Sequence, residues 1–589
     1  MYPRVKSPNF IVTKGLNRFS AFIAWIGVLI WVVEAGFAQT SVYQINVVRI
    51  IDLILVLIGA KIIFTYSLQW RKLLKLSVLW DVIAVGLIGY YIFQPIIGVE
   101  PEFYIYQGYE FTTLRIAVFL IALRETSELE VRFNFQKNNP ALLFSLSFMA
   151  IIFLGAGLLM LPNSRNADLN FLDALFTSVS AVCVTGLIVV DTATHFTQMG
   201  QGIIMILIQI GGLGILTFAS YFSYFFKGSS SLENQLTMND LSSSNNLADV
   251  FRTLKYIIGI TFFIEAVSAL SIYFSVIGNQ FNSQWDRVFF SVFHSISAFC
   301  NAGFSTLSNS MAESGFQFNL GLQIFIIITF ILGGLGFPIV ANTVEFFKYR
   351  FLRLLFSKKK YGHRPWVMNI NSRINLVTTF SITGVALILY FLFEWNYSLN
   401  GFSIPEKMIG GFFGATTPRT AGFNQVSMDS LNLPTIIMIM GLMWIGASPS
   451  STGGGIKTST IAVAVLNTFS LAKGKDRVEI YRREISYMSI RRAYSIMFLS
   501  IWVIGTAAVI IRSVHPELNF QDILFEVVSA FSTVGLSMGI TAKFGSIAKL
   551  ILMAVMFIGR VGTLTLLIAF FKQVREKNYK YPTEEIMIN

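Results

Sequence analysis

The chain has 589 residues, of which 54% are hydrophobic and 13% are charged, and its formal net charge is +13. Because an ordinary soluble domain is about 25% charged, this composition excludes a typical soluble protein. Uncharged stretches at 138–164, 192–226, 314–344 and 430–456 are each long enough for a membrane helix, which needs about 20 apolar residues. Two distant cysteines and four scattered histidines predict neither a disulfide framework nor a structural metal site.

The first quarter of the chain predicts four membrane spans, near 18–38, 45–68, 73–97 and 110–125. The first apolar segment is longer than the core of a signal peptide and lacks a small-residue cleavage site. We therefore expect it to be retained as a membrane helix.

Two arginines on the fourth predicted span raise the question of voltage sensing. Arg115 and Arg124 share an every-third-residue register, and Asp52 and Asp81 are candidate countercharges. The register positions between the two arginines are apolar, whereas a voltage sensor needs several gating charges in each unit. The pattern favours a packing or dimer-related role for this block over a voltage sensor.

From residue 138 onward one unit recurs four times: an apolar helix, a short segment ending in a glycine-containing loop, and a second apolar helix. The loops read SAVCVTGL, SAFCNAGF, TPRTAGF and SAFSTVGL, at 180–187, 297–304, 417–423 and 529–536. Self-similarity at a nearly constant period indicates internal repetition.

The repeats predict an all-α polytopic membrane protein with four pseudo-repeats of helix, pore loop and helix around a central ion pore, after four N-terminal transmembrane helices. The predicted divisions are an N-terminal block at 1–137 and pore repeats at 138–250, 251–372, 373–490 and 491–589, the last with a cytoplasmic tail.

Basic residues concentrate after the second helix of each unit, within 227–255, 348–373, 473–492 and 572–580. By the positive-inside rule these stretches are cytoplasmic, and the glycine loops open outward. We expect a multi-pass protein of the plasma (inner) membrane with both termini in the cytoplasm. The net charge of +13 is then explained by the basic cytoplasmic stretches, and nucleic acid is not an expected partner.

Each glycine loop follows a segment too short to span a membrane, such as 171–182 or 522–531. A helix ending at mid-membrane directs its negative dipole end at the centre, and the non-helical backbone after it is tolerated only if buried in protein or lining a watery cavity. Glycine accepts positive φ, and rings of inward carbonyl oxygens form K+ filters. The alternative is four re-entrant loops that serve as structural plugs.

Four further motifs carry a family resemblance: LIQIGGLGILTF, ILGGLGFP, ASPSSTGGGIKT and GRVGTLTL, at 207–218, 331–338, 447–458 and 559–566. With the four loops they make the chain from about residue 138 to its end resemble the Trk/Ktr/HKT superfamily of K+ transport proteins, nearest to KtrB/TrkH membrane subunits. The resemblance implies a K+ uptake channel or transporter subunit. A Na+ permease or a Na+-coupled K+ transporter of the same fold is the alternative.

The resemblance also implies roles for individual residues. A serine replacing the first filter glycine goes with Na+ preference in the family, so Gly186 favours K+. The implied filter glycines are Gly186, Gly303, Gly422 and Gly535. The implied neighbouring filter carbonyls belong to Val184, Thr185, Asn301, Ala302, Thr420, Ala421, Thr533 and Val534.

A gate is expected beneath the filter. A run of small and helix-breaking residues should interrupt the second helix of the third unit, and the resemblance implies an intramembrane gating loop there. The expected loop residues are Ser448, Pro449, Ser450, Ser451, Thr452, Gly453, Gly454, Gly455 and Lys457. Lys457 could reach the cytoplasmic side. Arg560, an isolated intramembrane charge, is expected to face this loop in the ion path, and Glu265 is expected to form a hydrogen bond between helices.

The resemblance implies a homodimer with one pore in each subunit and a cytosolic nucleotide-binding regulatory ring (TrkA/KtrA-like) on the basic face. The expected ion is K+, with Na+ as a candidate stimulating ion, and no covalently bound cofactor is expected. The spans carry isolated charges and not the paired groups that an intramembrane enzyme needs, so we expect no enzymatic activity.

Overall fold

The computed structural model describes residues 8–37, 41–68, 82, 84–86, 88–89, 117–122, 124–126, 140–214, 247–276, 280–281, 283–355, 368–570 and 584. Within these residues the chain is mainly helical. By length and apolar composition, four described helices qualify as membrane spans, or five if one bent pair counts as a single span.

The N-terminal block begins with two long helices, α1 (Pro8–Gly36) and α2 (Ser41–Leu68). The third and fourth predicted spans lie mostly outside the described residues, but their described parts, including 117–122 and 124–126, are helical. Apolar side chains from these segments form a buried cluster of their own. It is separate from the cores of the pore repeats.

A buried ion pair also lies in the N-terminal block. Glu125 is 0% exposed and lies 2.8 Å from Lys61 Nζ, and it accepts a hydrogen bond from the Ser20 hydroxyl. Arg124 contacts the same carboxylate. Glu125 was not among the residues singled out from the sequence. Arg115 and Asp81 lie outside the described residues.

Three helices or more build each pore repeat. Repeat 1 contains α3 (Pro140–Leu159), α4 (Phe171–Val182) and α5 (Gln198–Leu213). Repeat 2 contains α6 (Leu247–Ser275), α7 (Gln284–Cys300), α8 (Leu320–Leu335) and α9 (Phe337–Leu355). Repeat 3 contains α10 (Ile370–Glu394), α11 (Ile404–Thr416), α12 (Leu433–Trp444) and α13 (Thr458–Ala472). Repeat 4 contains α14 (Tyr487–Val514), α15 (Phe520–Ser532), α16 (Ser546–Val561) and α17 (Thr563–Phe570).

The first helices of repeats 2, 3 and 4 begin a few residues before the predicted divisions at 251, 373 and 491. Between α13 and α14 a two-stranded antiparallel hairpin, β1 (Glu479–Ile480) and β2 (Arg483–Glu484), precedes the last repeat. The short helices α4, α7, α11 and α15 are each followed by one of the glycine loops, and we call them pore helices.

The second helix of each repeat ends or breaks at mid-length, which the sequence analysis expected only in the third. Gly214, Gly336 and Gly562 follow α5, α8 and α16 with φ of 80°, 83° and 92°. Helices α8 and α9 meet at an angle of 104°. The break is possible because glycine adopts this left-handed backbone region without a Cβ clash.

Candidate ion filter and gate

The four loops after the pore helices share one backbone conformation. Two residues before each filter glycine a non-glycine residue has positive φ: Val184 (58°), Asn301 (60°), Thr420 (73°) and Thr533 (49°). The glycines have φ of 90° at Gly186, 69° at Gly303, 78° at Gly422 and 91° at Gly535. Left-handed residues that alternate with ordinary ones turn successive carbonyls toward one side of the chain.

The four loops meet in a closed ring. A methyl group built on Gly186 would overlap the carbonyl oxygen of Ala302 in repeat 2. One on Gly303 would lie 2.9 Å from the Cα atom of Gly422 in repeat 3. The corresponding overlaps join Gly422 to the Val534 carbonyl in repeat 4, and Gly535 to the Thr185 carbonyl in repeat 1.

The eight non-glycine residues expected around the filter are all 0% exposed: Val184, Thr185, Asn301, Ala302, Thr420, Ala421, Thr533 and Val534. The structure therefore brings all twelve expected filter residues together in the ring of glycine loops. Neutral backbone oxygens in such a ring suit a monovalent cation, because they replace its hydration shell without binding it too tightly.

A hydroxyl residue at the end of each pore helix braces its loop, and the sequence analysis did not assign this role. Gly186 N donates to Ser180 Oγ and Gly535 N to Ser529 Oγ, both at 3.1 Å. Ser297 Oγ donates to the Phe304 carbonyl at 2.7 Å, and Thr417 Oγ1 donates to the Phe423 carbonyl at 2.5 Å. The available signal was the hydroxyl residue that opens each of the four loop sequences.

Side chains on two pore helices, α15 and α7, also form hydrogen bonds with the residues that follow the filter loop. Glu526 on α15 is 0% exposed. Its carboxylate accepts from Ser537 Oγ at 2.5 Å, Met538 N at 3.1 Å and Thr541 Oγ1 at 2.9 Å. In repeat 2, His294 Nε2 lies 2.9 Å from Ser305 Oγ. Glu526 and His294 were not predictable from the sequence, because their partners lie on the far side of the filter loop.

In three of the repeats, a glycine on the second helix lies directly against the end of the pore helix. A methyl group on Gly211, Gly333 or Gly559 would overlap a backbone carbonyl near the end of α4, α7 or α15, respectively. Each of these glycines lies three residues before the glycine that ends its helix. The motifs GGLG and GRVG thus combine a close helix contact with the break that follows it.

Residues 445–457 interrupt the second helix of repeat 3 and lie against the base of the filter. Gly454 N donates to Thr533 Oγ1 at 3.0 Å, and Thr452 Oγ1 donates to the Phe299 carbonyl at 3.2 Å. Ser448 N donates to the Gly334 carbonyl at 3.0 Å. The loop is therefore bonded to repeats 2 and 4 as well as to its own.

Arg560, at the end of α16, donates hydrogen bonds to the carbonyls of Thr452 in the loop and Gly211 in α5. It thus joins repeats 1, 3 and 4 at the level of the loop. Lys457, the last of the expected loop residues, is bonded within the loop, because its Nζ donates to the Gly453 carbonyl at 2.6 Å. That it reaches the cytoplasmic side stays a prediction.

Glu265 forms the expected bond between helices. Gln209 Nε2 on α5 donates to its carboxylate at 3.2 Å.

Among the described residues, no cluster of three or more His, Cys, Asp or Glu side chains could hold a metal ion.

The fold and the ring of loops define a polytopic membrane protein of the pore-loop class, built from four linked repeats around one axis. Comparison with known proteins is consistent with that class. The TrkH family, described as cation transport proteins, matches residues 111–581, and the chain belongs to this family.

Similar proteins cover most of the chain. It is 34% identical over 453 residues to the Ktr system potassium uptake protein B of Bacillus subtilis, covering 76% of this chain and 96% of the relative. It is 33% identical over 458 residues to the potassium/sodium uptake protein NtpJ of Enterococcus hirae, covering 76% and 97%. The predicted Trk/Ktr membership is confirmed.

The crystal structure of the potassium transporter TrkH from Vibrio parahaemolyticus has the same fold. It matches with a TM-score of 0.59 at 16% identity, covering 90% of this chain and 98% of that one. The predicted all-α polytopic membrane fold is confirmed.

Proposed function

We propose that this chain is the membrane subunit of a K+ uptake system and passes K+ through the ring of four glycine loops. The observation that carries the proposal is the closed ring, in which each filter glycine fits against the next repeat. Relatives more than 30% identical are named for potassium uptake, among them the Ktr proteins B and D of Bacillus subtilis. An intact glycine at position 186 supports K+ over Na+ as the transported ion.

In the proposed filter, carbonyl oxygens beside the four glycines replace the water around the ion. The pore helices end at the base of these loops, so their negative dipole ends favour a cation at the centre. The hydroxyl braces from Ser180, Ser297, Thr417 and Ser529 hold the loops at a fixed radius. Transport of this kind involves no covalent chemistry.

The proposed gate is the loop at 445–457, with Arg560 beside it. Its bonds to Phe299, Thr533 and Arg560 hold it under the filter. Each such bond contributes about 0.5–1.5 kcal/mol net, so the closed position rests on a few kcal/mol. A regulatory partner can supply a coupling energy of about 1–3 kcal/mol, which is enough to shift this equilibrium.

The proposed regulator is a cytosolic nucleotide-binding ring that docks on the basic cytoplasmic stretches. We also propose a homodimer with one pore per subunit in the plasma membrane, with both termini cytoplasmic. The distribution of basic residues supports this orientation. The helix α13 supports a link to the gate, since it runs from the gating loop directly to the β1–β2 hairpin.

Growth rescue of a K+-uptake-deficient bacterium on low K+ tests the proposal. The chain, expressed with a suitable ring partner, should restore growth, and Gly186→Ser should restore it only when external Na+ is kept low. Radioactive flux with K+ and Na+ in competition then identifies the ion. Failure of the wild type to rescue growth, although it reaches the membrane with its partner, would contradict the K+ assignment.

A further inference from the structure

A lateral cavity of about 230 Å³ lies between helices α8 and α10, beside the third filter loop. Its walls include Phe330, Thr379, Arg419 and Ala447. Gly384 is on its outer rim, exposed on the lipid-facing side of α10, and a methyl group built there meets no atom within 4 Å. The cavity thus opens at the exposed side of α10.

Arg419 is the charged residue in the lining of this cavity. Within the part of the chain that the structure describes, its guanidinium makes hydrogen bonds only at 3.3–3.4 Å, to Thr379 and Thr383 of α10. These distances are long for N–H···O bonds, whose typical length is about 2.9–3.0 Å. Its Nε is buried without a hydrogen-bond partner, and no carboxylate of the described residues pairs with it.

The arginine lies deep in the membrane-spanning region. Thr379 and Thr383 are near the middle of α10, about 14–20 Å from its cytoplasmic end at a rise of about 1.5 Å per residue. An intramembrane charge at this depth is expensive and normally has a partner. A cation with weak hydrogen bonds beside an open cavity therefore favours an anionic or acidic ligand.

We propose that this cavity binds a single-chain carboxylic acid amphiphile, with its carboxyl group at Arg419 and its chain leaving past Gly384 into the bilayer. A carboxyl group matches the guanidinium fork, with both oxygens accepting hydrogen bonds. It also reaches this depth as a neutral acid, whereas a phospholipid phosphate stays ionised at the interface.

The size and lining of the cavity agree with such a ligand. A volume of 230 Å³ holds about seven groups of the size of a water molecule, each about 30 Å³. This accommodates the carboxyl group and the first methylenes of the chain. Phe330, Phe380, Leu387 and Phe412 provide apolar walls for them.

Occupancy would act on the proposed gate and filter, and this consequence rests on the proposed function. Arg419 directly precedes the filter residue Thr420. Ala447 directly precedes Ser448, whose backbone N–H donates to the Gly334 carbonyl at 3.0 Å, and Gly334 also lines the cavity. A bound chain therefore contacts both the filter loop and the base of the gate, and we expect it to change K+ flux.

Photolabelling of the full chain in proteoliposomes tests the binding site, with a diazirine-bearing palmitic acid as the probe. Labelling should map to peptides containing residues 330–335 or 377–388, and oleic acid should compete whereas oleyl alcohol should not. Arg419→Gln should raise the oleic acid needed for competition at least about tenfold, as expected for a lost charge-assisted bond. Gly384→Leu should abolish the labelling by filling the opening.

Gly259→Leu is the matched control, since Gly259 is an exposed glycine on α6 with no atom within 4 Å of an added methyl group. It should label as the wild type does. Equal competition by oleyl alcohol, or unchanged labelling in Gly384→Leu, would overturn the proposal. Because labelling needs no ion, a chain that binds the probe but carries no K+ would contradict only the proposed function. Oleic acid should alter flux in Gly259→Leu and not in Gly384→Leu.

Discussion

The bond between Gly454 and Thr533 allows a quantitative prediction about the gate. Thr533→Val removes the hydroxyl that accepts from Gly454 N at 3.0 Å, while it keeps the shape and β-branching of the side chain. A buried N–H left without a partner costs about 1–3 kcal/mol. If the loop leaves this position on opening, the cost falls on the closed state only. Basal K+ flux without the partner should then rise, by about tenfold for 1.4 kcal/mol.

Flux of 86Rb+ into proteoliposomes that contain the purified chain alone measures this effect. Thr343→Val is the matched control, because the Thr343 hydroxyl on α9 bonds to the Ile339 carbonyl of its own helix and to no other described residue. If Thr533→Val and the control have equal thermal stability and their fluxes differ by less than about twofold, this bond does not hold the gate closed.

Three further predictions concern the filter and its supports. Ser529→Ala, which removes the brace on Gly535, should lower the K+/Na+ permeability ratio several-fold in reversal-potential measurements, with little change in melting temperature. Gly559→Ala should lower the free energy of unfolding by about 1–3 kcal/mol through overpacking, read from detergent melting curves. The ion pair of Asp173 and Lys549, 2.5 Å apart across repeats 1 and 4, should show a coupling of about 1–3 kcal/mol in a double-mutant cycle; additivity would contradict it.

Much of the architecture was predictable because it depends on local chemistry. The segment at 171–182 is too short to span a membrane, which together with the loop after it predicted a re-entrant helix, and α4 has these bounds. The positive φ of the filter glycines was likewise expected, since no other residue accepts that backbone so readily. The repetition of both features made the pore loops recognisable.

Contacts across the fold were not predictable in the same way. The break at Gly214 accompanies the close approach of Gly211 on α5 to the end of α4, and the GGLG motif does not show from the sequence alone which helix end it contacts. The pairing of Lys61 with Glu125 joins residues distant in sequence. The partner of Lys457 was not predictable for a similar reason, because the path of the gating loop brings the Gly453 carbonyl to 2.6 Å from its amino group.

The closed ring has a consequence for how such a pore can change. In an assembly of identical subunits every substitution occurs four times, so the axis keeps its symmetry. Here each quarter of the ring is encoded separately. One quarter carries Arg560 and another carries the loop at 445–457, while all four quarters keep the filter glycine. A single substitution therefore alters one wall of the pore, which allows ion preference and regulation to be adjusted in small and independent steps.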